Sequence, residues 1–150
     1  MHNLTTSSPD ETFAYGESLA SQLEAGDVIL LYGGLGAGKT LLTKGIVAGL
    51  GYDVDEVTSP SFTLVNLYRA AKFDVYHIDL WRLDDSMDPA EAVGLDEILE
   101  QPNAIAIVEW ADRLKRPIES KTMGIQIAGD GDGPRSIEVR TGEAAWLTKA

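Results

Sequence analysis

The 150-residue chain carries 12 Lys plus Arg against 24 Asp plus Glu, a formal charge of −12, and no cysteine. That acidity has the wrong sign for gripping a nucleic-acid backbone unaided. It reads as a solvated surface, or as an acidic face that docks a basic partner. Without cysteine there is neither a disulfide framework nor a thiolate metal site, so a cytoplasmic protein is expected.

The apolar runs Val28 to Tyr32 and Ala104 to Val108 fall far short of the roughly 20 residues that span a bilayer. The start, Met1-His2-Asn3-Leu4-Thr5-Thr6, has neither a basic segment nor an apolar signal core. The length suits one domain over residues 1–150.

Ser8-Pro9-Asp10-Glu11 predicts a helix start, with Ser8 as cap, Pro9 in the first turn and Glu11 three residues after the cap. Phe13, Leu19, Ala20 and Leu23 give its apolar face, and Gly26 ends it. Val28 to Tyr32 then predicts a short buried strand, and Leu41, Leu42, Ile46, Val47 and Leu50 recur at helical spacing.

Between them lies Gly33-Gly34-Leu35-Gly36-Ala37-Gly38-Lys39-Thr40, which fits Gly, four residues, Gly, Lys, then Ser or Thr. The glycines let backbone N–H groups curl around phosphate oxygens. Lys39 is placed to meet the β- and γ-phosphates, Thr40 to offer its hydroxyl to Mg²⁺, and the helix N-terminus adds unpaired donors. Such a loop suits a nucleoside triphosphate.

After Gly51, the hydroxyl-rich stretch Thr58-Ser59-Pro60-Ser61-Phe62-Thr63 reads either as a switch-like sensor of the γ-phosphate or as a capped turn before a strand. Leu64, Val65, Leu67 and Tyr68 predict an extended segment that pairs with Phe73 to Asp79 as a hairpin. Asp79 closes that strand. Asp88-Pro89-Ala90-Glu91 repeats the cap, proline and acid arrangement, and Gly94 breaks the helix before Leu95 to Glu100. Ala104 to Val108 predicts a central buried strand ending in Glu109-Trp110.

Asp79 and Glu109 therefore compete for the metal-organising carboxylate of a phosphate-loop sheet. His77, on the strand face opposite Ile78, reads as a half-buried hydrogen-bonding residue with no assigned role. Asp112, Arg113, Lys115 and Arg116 read as a solvated turn. Met123 to Ala128 and Ser136 to Arg140 predict a second hairpin across the turn Gly129 to Pro134, whose Asp130 and Asp132 lack the glutamate of a calcium loop. Thr141 to Lys149 predicts a short terminal helix carrying Trp146 and Leu147.

Taken together, these blocks resemble the TsaE family of small bacterial ATPases, which take part in making threonylcarbamoyladenosine (at adenosine 37) in tRNA. The resemblance runs over roughly Ser8 to Arg140. Besides the glycine loop it rests on Ser59-Pro60-Ser61-Phe62-Thr63-Leu64-Val65, His77-Ile78-Asp79-Leu80-Trp81-Arg82-Leu83, Gly94-Leu95-Asp96-Glu97 and Val108-Glu109-Trp110. It implies a single three-layer α/β P-loop NTPase domain with a mixed parallel and antiparallel sheet.

The cofactors it implies are ATP and Mg²⁺. Gly33, Gly36, Ala37, Gly38, Lys39, Thr40 and Leu41 would contact nucleotide, with Arg135 as a further contact. Thr40 and Glu109 would hold Mg²⁺. Asp79 would join Lys39 at the active site as a catalytic or metal-organising carboxylate, the loop Ser59 to Thr63 would be switch-like, and Trp110 would form an aromatic wall. Relatives often carry a second threonine where this chain has Leu41, although Thr43 lies close by.

The implied partners are a TsaD-type transferase and a TsaB-type protein, with tRNA reached only through that complex and no membrane. Two other classes compete with such a weak, Mg-dependent ATPase: a small-molecule kinase, and a nucleotide-gated binding module with negligible turnover. The arginines are scattered where a kinase lid needs them clustered, and no Asn-Lys-x-Asp base-reading motif of a GTPase is present.

Overall fold

Strand β2 (Val28–Tyr32) is buried along its whole length because it lies inside a sheet covered on both faces, which explains its unbroken apolar run. The computed structural model describes residues 2–34, 36–57, 64–83, 86, 88–115 and 121–142. In chain order the remaining elements are β1 (His2–Thr6), α1 (Pro9–Ala20), α2 (Lys39–Gly49), β3 (Val65–Arg69), β4 (Asp74–Asp79), α3 (Pro89–Ala92), α4 (Leu95–Leu99), β5 (Ala104–Glu109), β6 (Thr122–Ala128) and β7 (Arg135–Thr141).

The sheet runs β1-β7-β6-β2-β5-β4-β3. Its inner strands β6, β2, β5 and β4 are parallel, while β3, β7 and β1 are antiparallel to their neighbours. The mixed sheet and both hairpins predicted above are therefore present.

Alternation along the inner strands divides the core in two. Ile29, Leu31, Ile105, Ile107, Ile125 and Ile127 face Leu19, Leu42, Ile46 and Val47 of α1 and α2. On the other face Val28, Leu30, Ile78, Ala106 and Val108 meet Leu95 and Ile98 of α4 and Ala111. The result is three layers. Burial of each large aliphatic side chain contributes about 1.5–3 kcal/mol against the entropy of ordering the chain.

Helix α1 starts as its sequence requires. Ser8 Oγ accepts from the Glu11 N–H at 3.2 Å, and Glu11 reaches back to the Ser7 N–H at 3.0 Å. Helix α2 crosses α1 with backbones almost touching: a Cβ on Gly45 would lie 2.2 Å from the Phe13 carbonyl oxygen, and one on Gly16 would lie 2.6 Å from that of Leu42. Contact this close fixes the helix that begins at Lys39.

Several expectations change. Strand β1 is absent from the sequence reading because His2-Asn3-Leu4-Thr5-Thr6 is a polar edge segment, and only its pairing with β7 makes it a strand. Leu64 is not extended: its φ of 68° is left-handed, and β3 starts at Val65. His77 is fully buried rather than half-buried. Arg113 does not sit in a purely solvated turn, because its guanidinium donates to the Leu83 carbonyl.

Asp130 and Asp132 lie in a plain turn, and the described residues contain no group of three His, Cys, Asp or Glu able to hold a metal. Ser59 to Thr63, Arg116 and the predicted terminal helix beyond Gly142 lie outside the described residues. Among those described, no helix is long and apolar enough to cross a membrane.

Candidate nucleotide site

At the C-terminal end of β2 the chain leaves the sheet at Gly33. Its φ of 151° belongs to glycine, and a Cβ there would meet the Ile127 carbonyl oxygen at 2.5 Å. The loop thus lies against β6. It re-enters helix at Gly38, whose left-handed φ of 110° makes it an N-cap without a side chain. The first N–H groups of α2 carry no side-chain cap and point towards the loop, the arrangement that favours an anion.

Lys39, only 6% exposed, folds back under the loop. Its ammonium donates to the carbonyl oxygens of Gly33 at 2.6 Å and Gly34 at 3.4 Å, and lies 3.9 Å from the centre of the Trp110 ring. Burial lowers its pKa, while the charges of Glu109, Asp79 and Asp112 oppose that shift. Trp110 holds its position through a left-handed turn, φ 58°, immediately after β5. The indole also packs on Trp81 at 4.3 Å between centroids, and Trp81 is 42% exposed.

The two competing acids are neighbours. In the parallel pairing of β4 with β5, Asp79 stands opposite Glu109. Asp79 Oδ1 accepts the Trp81 N–H at 2.8 Å. Burial raises the pKa of Asp79. The Trp81 N–H works against that shift, the Glu109 charge adds to it, and His77 and Lys39 oppose it. Glu109 Oε2 accepts from His77 Nε2 at 2.5 Å, and His77 Nδ1 meets the Tyr68 hydroxyl at 3.1 Å.

A cleft of about 440 Å³ brings together Gly36, Ala37, Gly38, Lys39, Thr40 and Leu41 with Asp79 and Glu109, and Trp81, Arg82 and Trp110 form its rim. Gly33 contributes its carbonyl beneath the cleft, through Lys39. Arg135 stands apart. It donates to the carbonyls of Ala37 at 2.9 Å and Gly36 at 3.3 Å, and to those of Asp130, Gly131 and Gly133. Its guanidinium therefore ties the β6–β7 turn to the glycine loop.

Arg135 also lines an adjoining pocket of about 210 Å³ with Thr6, Ser8, Thr12, Gly38, Leu41 and the turn residues Gly131 to Gly133. The start of α1 therefore lies beside the glycine loop. His77 and Tyr68 are absent from the sequence-derived site, because their link to Glu109 depends on strand register across 32 residues. The one signal available was parity, which puts His77 and Asp79 on the same face of one strand.

A magnesium ion fits the donors present. Glu109 would supply a carboxylate and Thr40 a hydroxyl on one cleft, hard oxygens of the kind Mg²⁺ takes. The protein's share of ligands is small.

A glycine loop between an inner parallel strand and its helix, a lysine at the helix start, and acids at the ends of two adjacent strands define the P-loop NTPase fold. Within that class, residues 6–137 match the family model described as "Threonylcarbamoyl adenosine biosynthesis protein TsaE", and the chain belongs to this family.

Among curated relatives, the tRNA threonylcarbamoyladenosine biosynthesis protein TsaE of Bacillus subtilis is 37% identical over 132 residues, covering 88% of this chain and 80% of its own. The protein of the same name from Treponema pallidum is 34% identical, with 88% and 95% covered. That from Synechocystis is 43% identical over 107 residues, 69% of this chain and 66% of its own. The crystal structure of YdiB from Bacillus subtilis superposes with a TM-score of 0.67 at 33% identity, covering 96% of this chain and 88% of that one.

Proposed function

We propose that this chain binds and slowly hydrolyses Mg²⁺-ATP as a component of the cytoplasmic machinery that makes threonylcarbamoyladenosine in tRNA. It acts there as a nucleotide switch on a TsaD-type transferase and a TsaB-type protein. The observation that carries this reading is the convergence of Lys39, Thr40, Asp79 and Glu109 on one cleft at the ends of β2, β4 and β5. Family membership supplies the pathway.

The residues divide the work by chemistry. Lys39 exchanges the Gly33 and Gly34 carbonyls for β- and γ-phosphate oxygens, a point charge against a forming charge. Glycine-loop and α2 N–H groups cradle the phosphates, and the adjoining pocket beside Thr6, Thr12 and Arg135 takes the base. Thr40 and Glu109 would hold Mg²⁺, which would supply positive charge against the phosphates. Asp79, more basic than an ordinary aspartate, orients the attacking water.

The switch has a structural route to the surface. Phosphate contact draws on Lys39, whose ammonium rests on Trp110, which packs on the exposed Trp81 at the cleft rim. A partner that docks over Trp81 would therefore sense what occupies the cleft. With a charge of −12 the chain leaves tRNA contact to those partners.

The test is partner affinity by calorimetry with a non-hydrolysable ATP analogue, with ADP and without nucleotide, beside tRNA binding by the isolated protein. The switch requires at least tenfold tighter partner binding in the ATP state, about 1.4 kcal/mol. Nucleotide-independent affinity, or salt-resistant tRNA binding by this chain alone, would defeat it.

A further inference from the structure

Beneath the cleft runs a buried polar chain that the reading above leaves unused. Tyr68 on β3 and His77 on β4 lie on the sheet face that meets α1 and α2. Val75, Ile105 and Ile107 are their apolar neighbours, and Glu109 follows Ile107 at the same parity. From there Glu109 reaches back across the strand pair to His77, which is fully buried, while Glu109 itself is 3% exposed.

A carboxylate oxygen only accepts, so Nε2 carries the hydrogen of this bond. In the neutral ring Nδ1 is then the acceptor and takes the Tyr68 hydroxyl hydrogen. The Asn66 amide in turn donates to the Tyr68 oxygen at 3.4 Å. With the ring in that tautomer, donation runs from Tyr68 through His77 and ends on one named oxygen, Oε2. No hydrogen bond to Oε1 is made among the described residues, and Glu109 lines the cleft.

We infer that His77, held by Tyr68, is a positioning residue that fixes the Glu109 carboxylate so that Oε1 is presented to the nucleotide-bound Mg²⁺. This rests on the proposed role of Glu109 as a metal ligand. Stability alone does not account for the chain. Burying a histidine, a carboxylate and a phenol hydroxyl in an otherwise apolar layer carries a desolvation cost that well-packed apolar residues would avoid. Orienting a ligand does account for it, because a cation served by so few protein donors depends on how well each is held.

The experiment is a Mg²⁺ titration of the affinity for a non-hydrolysable ATP analogue, read by calorimetry, in the parent, His77→Ala, His77→Gln, Tyr68→Phe and Glu109→Gln. The Mg²⁺ midpoint should rise about 10- to 100-fold in His77→Ala, with analogue affinity in the absence of Mg²⁺ unchanged. His77→Gln, whose amide N–H replaces Nε2–H, should recover most of the loss. Tyr68→Phe should shift the midpoint the same way by less.

A lowered melting temperature with a parental midpoint in His77→Ala would mean a purely structural role and overturn the inference, while a shifted Glu109→Gln would leave the metal-ligand reading standing. A parental midpoint in Glu109→Gln would overturn both. Should His77→Ala not fold, Tyr68→Phe carries the test, since it removes one oxygen and little packing, and a parental midpoint there would equally overturn the positioning role.

Discussion

Asp79, proposed above to orient water, shows how a buried carboxylate is kept at a cost to the fold. Burial raises its pKa above the unfolded value, so the folded chain holds this proton more tightly than the unfolded one does. In the pH window between those two values the folded state binds more protons. Stability therefore falls as pH rises through the window, and the penalty stays in full above it. Asparagine removes the titration and keeps an oxygen for the Trp81 N–H. Without nucleotide, Asp79→Asn should be at least as stable as the parent at neutral pH, with the difference vanishing towards about pH 4. Its turnover should fall about 10²-fold or more. Thermal unfolding across pH checks the first expectation, and a variant less stable than the parent at neutral pH would contradict it.

Much of the residue-level site was readable because Lys39 and Thr40 sit in a local pattern with a local purpose. That Asp79 and Glu109 stand side by side was not, because only the pairing of β4 with β5 makes them neighbours. His77 was legible as a hydrogen-bonding residue, but its link to Glu109 was hidden for the same reason.

At the scale of elements, legibility followed how far each element depends on distant chain. Strands β2 and β5 announce themselves because burial on both faces demands unbroken apolar runs, and α1 carries its own cap. Strand β1 has no such signal. Its partner β7 lies at the other end of the described chain, and with it comes the pocket that Thr6 and Thr12 share with Arg135. The contact between α1 and α2 is likewise unannounced by periodicity, although it decides where Lys39 and Thr40 stand. At Gly45 the atom that a Cβ would strike is backbone, which cannot rotate away. Gly45→Ala should destabilise the fold by about 1–3 kcal/mol, lowering the melting temperature by several degrees. It should also weaken nucleotide binding, because α2 must shift. An unchanged melting temperature would mean that the helices are not held as closely as described.

For the whole molecule, the proposed switch requires that a small acidic chain make its nucleotide state known to other proteins. The exposed indole of Trp81 lies two aromatic contacts from the Lys39 ammonium, and its own backbone N–H is bonded to Asp79. Trp81→Ala keeps that backbone bond. It should leave ATP affinity near the parental value while weakening the partner complex in the ATP state by tenfold or more, as loss of an interface tryptophan does. Equal partner affinity in parent and variant would move the docking surface elsewhere.

Beneath this stands the nucleotide site itself. It is tested most directly by calorimetric titration of the parent and Lys39→Ala with ATP, with and without Mg²⁺. ATP should bind at one site per chain, more tightly with Mg²⁺ than without, and roughly 10²-fold or more weaker in Lys39→Ala at unchanged melting temperature. Parental ATP affinity in the folded Lys39→Ala variant, or the absence of ATP binding by the parent, would contradict this assignment.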